Sequence, residues 1–115
     1  MKKPNPGYNG FSIPVLLLCA SLAGCNLQDD SLALGQSTWQ ANCQVCHLQG
    51  IAGAPPMGDK SGWQPRIAQG ESVLIEHALR GFEGDKGYMP ARGGNSGLSD
   101  EQVIAAVRYM ITNSQ

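Results

Sequence analysis

Cys43-Gln44-Val45-Cys46-His47 is the stretch from which the rest of the chain can be read. Two thiols three positions apart stand on nearly the same side of a helical turn, so both can add to the two vinyl groups on one edge of a porphyrin. The next residue, His47, then brings its imidazole within reach of the iron from one face. A bare C-x-x-C also suits a zinc knuckle, a thioredoxin-like redox pair or a structural disulfide. A zinc site needs another Cys or His pair at ligand spacing, and downstream of the motif only His77 remains. A thioredoxin-like site needs a βαβ setting, which the chain lacks. The motif therefore implies one haem c, covalently held through Cys43 and Cys46, with His47 as an iron ligand.

Upstream, the chain opens on Lys2 and Lys3 and then carries an apolar run from Ile13 to Ala23, broken only by Pro14 and Ser21. A membrane span needs about 20 apolar residues, so this shorter run reads as the core of a secretory signal peptide. It ends in Leu22-Ala23-Gly24-Cys25, which resembles the lipobox of bacterial lipoproteins. The resemblance implies cleavage before Cys25 and lipid on its thiol. Residues 1–24 are then the signal, 25–31 a lipidated polar tether with Asp29 and Asp30, and 32–115 the single domain. Cysteine usage agrees: Cys19 leaves with the signal, Cys25 carries lipid, and Cys43 and Cys46 carry haem. No unpaired thiol is left in an oxidising compartment. The 91 residues remaining (115 less 24) are few for a core, and a large apolar cofactor supplies part of one. Loss of Lys2 and Lys3 takes the formal charge from −1 to −3. Such a chain is a poor ligand for nucleic acid, which selects clustered Lys and Arg, and suits transient docking to basic patches.

Downstream, three helices are expected. From Leu32 to His47, Trp39, Cys43 and Cys46 recur at i, i+4, i+7, placing Trp39 on the face of the thiols; Gly35, one turn earlier, suggests a close helix–helix approach. Glu71 to Arg80 pairs Leu74 with Ala78 and Ile75 with Leu79, and Gly81 terminates it. The last helix begins at Ser99, whose partner Gln102 completes a capping box, with Asp100 and Glu101 in the first turn. Its stripe is Val103, Ala106, Val107, Met110 and Ile111. The intervening stretches, Leu48 to Arg66 and Phe82 to Leu98, are rich in Gly and Pro and read as loops, and no strand pattern is present. In the first loop, Trp63 suits a place beside the porphyrin with its N–H near the polar edge, or equally a core position. Arg66 is a candidate partner for a haem propionate.

The sixth iron position decides between carrier and catalyst. Met89, followed by Pro90 in the second loop, is far enough from His47 to reach the opposite haem face. Met57 lies too near His47, Met110 belongs to a core stripe, and His77 is the rival donor.

The ordered set Cys43-Gln-Val-Cys-His47, Gly53-Ala-Pro55, Gly58-Asp-Lys60, Trp63-Gln-Pro-Arg66, Tyr88-Met-Pro90 and Ser99-Asp-Glu101 resembles cytochrome c5, a family of small bacterial class I c-type cytochromes. The resemblance covers about Leu34 to Ile111. It implies an all-α fold, the small class I cytochrome c fold with three main helices and glycine-rich loops around one haem. It also implies crossing of the first and last helices at Gly35, with Trp39 and Tyr109 as aromatic partners. Further implications are His47 and Met89 as axial ligands, and Pro55 near the carbonyl that orients His47. The family's C-x-x-C disulfide before the last helix is absent, with Asn95 and Leu98 in its places.

The function expected is that of a one-electron carrier, not an enzyme, exchanging electrons with redox protein partners at a membrane surface through its lipid anchor. The expected location is the periplasmic side of a bacterial membrane. Asn26 after Cys25 resembles lipoproteins sent to the outer membrane. The alternatives are a ligand-binding haem protein, enzyme or gas sensor, with a labile sixth position, and a non-haem disulfide oxidoreductase.

Overall fold

The computed structural model describes residues 1–4, 7 and 26–115. The apolar signal run, Cys19 and the lipidated Cys25 lie outside the described residues. Helix α1 (Asn26–Thr38) passes through one π turn (Trp39–Cys43) into the short α2 (Gln44–His47), so one helical stretch delivers the C-x-x-C-H motif. The segment read as a tether, Asn26–Ser31, is part of α1: Asp29 complements the positive helix end and Ser31 Oγ donates to the Gln28 carbonyl. Residues 28–33 are exposed, so this extension stands clear of the core. The π turn upsets the simple i, i+4, i+7 alignment. Trp39 enters the core, where its ring lies 5.9 Å from that of Tyr109, while Cys46 and His47 face a cavity.

Helix α5 (Asp100–Thr112) is built as its sequence predicts. Ser99 Oγ accepts from the Gln102 N–H at 3.2 Å and the Gln102 side chain accepts from the Ser99 N–H at 2.9 Å. Val103, Ala106, Val107, Met110 and Ile111 are all buried. Ser99→Ala is expected to lower stability by about 1 kcal/mol, read as a fall of roughly 4–8 °C in the melting temperature of the holoprotein.

Both loop expectations are corrected. The first loop contains helix α3 (Lys60–Ile67). Asp59 caps it, accepting from the Gly62 N–H and the Ser61 hydroxyl, and those bonds hold its carboxyl below the usual carboxylate range. With Gly62 and Pro65 inside and no apolar stripe, α3 is held by its cap and by burial of Trp63, so periodicity does not reveal it. The second loop contains a hairpin, β1 (Phe82–Gly84) and β2 (Gly87–Met89), antiparallel with Phe82 opposite Met89. Three residues per strand are too few for an alternation to register.

Helix α4 (Glu71–Arg80) completes the fold, packed along α5, with Arg108 joined to Glu71 at 2.7 Å. The core has two parts. Ala78, Val103, Val107 and Ile111 form one, with Met89 and Leu98 against it. Trp39, Trp63 and Met110 form the other, with Cys43, Met57 and Tyr109 against it. The C-terminus is latched by Ser114, whose buried hydroxyl accepts from the Gly58 N–H at 3.0 Å.

Candidate haem site

The α2 helix ends at His47, and the chain then turns back so that the Pro55-Pro56 carbonyls face the core. Their positions decide two side chains. His47 Nδ1 lies 2.9 Å from the Pro55 oxygen; a carbonyl only accepts, so Nδ1 carries the proton and Nε2 keeps its lone pair free for a metal. Trp63 Nε1 donates to the Pro56 oxygen at 2.8 Å. The indole N–H is therefore committed to the chain rather than to a cofactor's polar edge, while the buried Trp63 ring lies 6.3 Å from the His47 ring. Trp63 belongs both to the core and to the cavity wall. The Met57 N–H, donating to the His47 carbonyl at 2.7 Å, closes the turn.

Burial pulls the His47 pKa below its ordinary 6.5; the Pro55 bond opposes this and the Arg66 charge adds to it. A neutral imidazole, the form that binds metal, is the result. Burial, with Cys46 adding to it, pushes the Cys43 thiol up to about 11. Before attachment Cys43 is thus a small, protonated hydrophobe against the core.

The cavity that these groups line has a volume of about 470 Å³, within the range of cofactor sites. Cys43, Cys46, His47, Pro55, Trp63, Arg66 and Met89 all lie on its wall, so one site gathers every candidate haem-binding residue of the sequence. Arg66 also donates to the Gly62 carbonyl one turn back. His77, the rival donor, lines the cavity too, but its ring is stacked on Phe82 at 3.9 Å and 20°. The rim is apolar and open, with Ile51, Phe82 and Tyr88 exposed. Two glycines let the His47 and Met89 sides meet there. A Cβ on Gly53 would overlap the Lys86 carbonyl oxygen, and one on Gly87 the Ala52 carbonyl oxygen. Phe82, which pairs with Met89 and covers His77, was not identifiable beforehand, since nothing local in its sequence marks it. Among the described residues no three His, Cys, Asp or Glu side chains form a metal-binding cluster of the zinc type.

The donor set fits haem c. Two thiols and a neutral, pre-oriented imidazole share one largely apolar wall with a thioether, on a small helical scaffold. That combination defines a monohaem c-type cytochrome. A family model described as cytochrome C oxidase, cbb3-type, subunit III, matches residues 30–110. Cytochrome c-555 from Chlorobaculum tepidum is 44% identical over 105 residues, covering 91% of this chain and 97% of that protein. Cytochrome c5 from Ectopseudomonas mendocina is 30% identical over 71 residues, 60% of this chain and 77% of its own. A chain in a crystal structure of an electron transfer complex of nitrite reductase with cytochrome c superposes with a TM-score of 0.64 at 38% identity, over 71% of this chain and 95% of that one. The chain belongs to the small class I c-type cytochromes. It carries covalent haem c and is an electron carrier rather than an enzyme. Of the two named relatives, c-555 is the more similar and c5 the more distant.

Proposed function

We propose that the protein is a lipid-anchored one-electron carrier at the periplasmic surface of a bacterial membrane, with His47 and Met89 as axial ligands and Cys25 as the lipidated N-terminus. Haem c, when bound, supplies the Fe(II)/Fe(III) couple. The chain binds it through Cys43 and Cys46, keeps water from it with Trp63 and the core, and leaves one edge open for electron transfer. The observation that carries the reading is the placement of Met89 on the same cavity wall as Cys43, Cys46 and His47. A thioether is a neutral, soft donor that favours Fe(II) and raises the potential. Arg66 on that wall is the candidate propionate partner. Weak, brief docking suits a carrier, and redox encounters use small interfaces; the exposed Ile51, Phe82 and Tyr88 at the rim are the candidate docking residues.

The anchor rests on Leu22-Ala23-Gly24-Cys25 and on the exposed helical spacer that follows. Among the described residues, no helix is long and apolar enough to cross a membrane. Several acyl chains hold firmly where one does not. Cys25→Ser is therefore expected to move the haem-stained protein from the membrane pellet to the soluble fraction, or to stall it as the uncut precursor. A wild-type protein wholly in the soluble periplasmic fraction would sink the anchor. The axial pairing is tested by the weak far-red band of a sulfur–ferric iron bond. Its absence, with prompt carbon monoxide uptake by the reduced protein, would favour a ligand-binding haem.

A further inference from the structure

Only Ala52 and Arg92 among the described non-glycine residues have a positive φ, 53° in each. At Arg92 a side chain stands where glycine would be free of strain, and glycines follow at the next two positions. What the side chain does there is specific. Its Nη1 donates to the Leu98 carbonyl at 2.9 Å, and its Nη2 lies 2.6 Å from Asp100 Oδ1. Asp100 is the first residue of α5, so the guanidinium ties the 3₁₀ turn after Pro90 to the start of that helix. The Arg92 side chain is 27% exposed against 68% for Asp100. It is thus the better-desolvated partner, and its charge-assisted bonds outweigh those of an open surface pair.

The same segment is tied on its other flank. Asn95 Nδ2 donates to Asn42 Oδ1 at 2.7 Å, and Asn42 Nδ2 donates to the Thr38 carbonyl at 3.1 Å. Asn42 immediately precedes the first haem cysteine. Asn95 Oδ1 also accepts from the Gly97 N–H at 3.0 Å. Met89 ends the hairpin, immediately before this tied segment. Phe82 pairs with it from the N-terminal side. Behind it is a small void of about 30 Å³, whose wall includes Met89, Arg92, Leu98 and Cys43.

We propose that Arg92, assisted by the Asn42–Asn95 pair, is a positioning residue for Met89. It holds the chain from Pro90 to Leu98 against the cavity wall and so limits how far the thioether can leave the iron. This rests on the reading of Met89 as sixth ligand. The clamp is noncovalent and partly exposed, so high ionic strength weakens its Asp100 half and spares the Leu98 bond.

The test uses ferric holoprotein titrated with imidazole, which competes for the sixth position, and heated while the far-red sulfur–iron band and helical ellipticity are followed. Arg92→Gly relieves the backbone and removes the clamp, so the fold survives. Its imidazole affinity is expected to rise roughly fivefold or more, and its band to fade on heating well before ellipticity is lost. Asp100→Asn keeps the Leu98 bond and gives a smaller rise, and Arg92→Lys an intermediate one. An unchanged imidazole affinity in Arg92→Gly, with the band intact, overturns the positioning role and leaves Met89 as ligand. So does loss of band and ellipticity together at a lower temperature, which makes Arg92 a stability residue only. A wild-type protein that has no such band overturns the ligand reading, and the clamp with it.

Discussion

Met89→Ala is expected to open the haem: the far-red band of the ferric protein disappears, the reduced protein takes up carbon monoxide at once, and the potential falls. On the axial pairing proposed above, no other methionine can replace it. Met57 is bound into the His47 turn through its own N–H, and Met110 is buried in the second core cluster. His77 lines the cavity but is stacked on Phe82, so it could ligate only by leaving that ring. The alanine variant also loses packing, because Met89 lies half-buried against Ala78, Val103, Val107 and Ile111. Complete burial would cost 2–5 kcal/mol on truncation to alanine, and partial burial puts this site at about 2 kcal/mol. Met89→Leu separates the two effects. It keeps the volume, costs less than about 1.5 kcal/mol, and should show the same loss of band and the same gas binding. A leucine variant that retains the band would refute the assignment of the sixth ligand.

Gly35→Ala is expected to destabilise the fold by forcing its two crossing helices apart. Alanine ordinarily stabilises a helix interior by about 1 kcal/mol over glycine. Here a Cβ would overlap the Ala105 carbonyl oxygen, and would lie 2.9 Å from the Ala105 carbonyl carbon and 2.9 Å from Tyr109 Cβ. Backbone and Cβ atoms cannot swing aside, so α1 and α5 must separate. Their contact is the most extensive between any two elements, and it holds the Trp39 and Tyr109 rings together. Overpacking of a rigid contact costs typically 1–3 kcal/mol or more, which outweighs the propensity gain. With total stability of only about 5–15 kcal/mol, a net loss of about 1–2 kcal/mol should lower the melting temperature by roughly 4–16 °C. Thermal melts of the holoprotein followed by circular dichroism decide it. A melting temperature equal to or above wild type would show that the helices do not meet at this glycine.

Legibility followed the range of the interactions. The α5 helix could be read in full because its determinants are local: a serine, a glutamine three residues on, and an apolar stripe at helical period. The α4 helix was legible for the same reason. In the site, Cys43, Cys46 and His47 were marked by a spacing that one helical turn imposes. Met89 was reached by weighing it against Met57, Met110 and His77, whereas Pro55 required the resemblance, because a lone proline in a glycine-rich stretch has no local signature. The α3 helix was missed because a two-turn helix with glycine and proline inside depends on one cap and one buried tryptophan. The hairpin was missed because its strands are too short to alternate.

By itself, the sequence determined the chemistry of attachment, the helical class, the capping of α5 and which residue types could face an iron. The tertiary structure alone decided which atoms meet. It gave the Pro55 carbonyl to His47 and the Pro56 carbonyl to Trp63, paired Phe82 with Met89, and set Arg92 between Leu98 and Asp100. The reason is physical. Periodicity and caps act within a few residues of the chain. The bond between Asn42 and Asn95, 53 positions apart, exists only once α1 and α5 have crossed at Gly35 and brought the two loops over the same cavity.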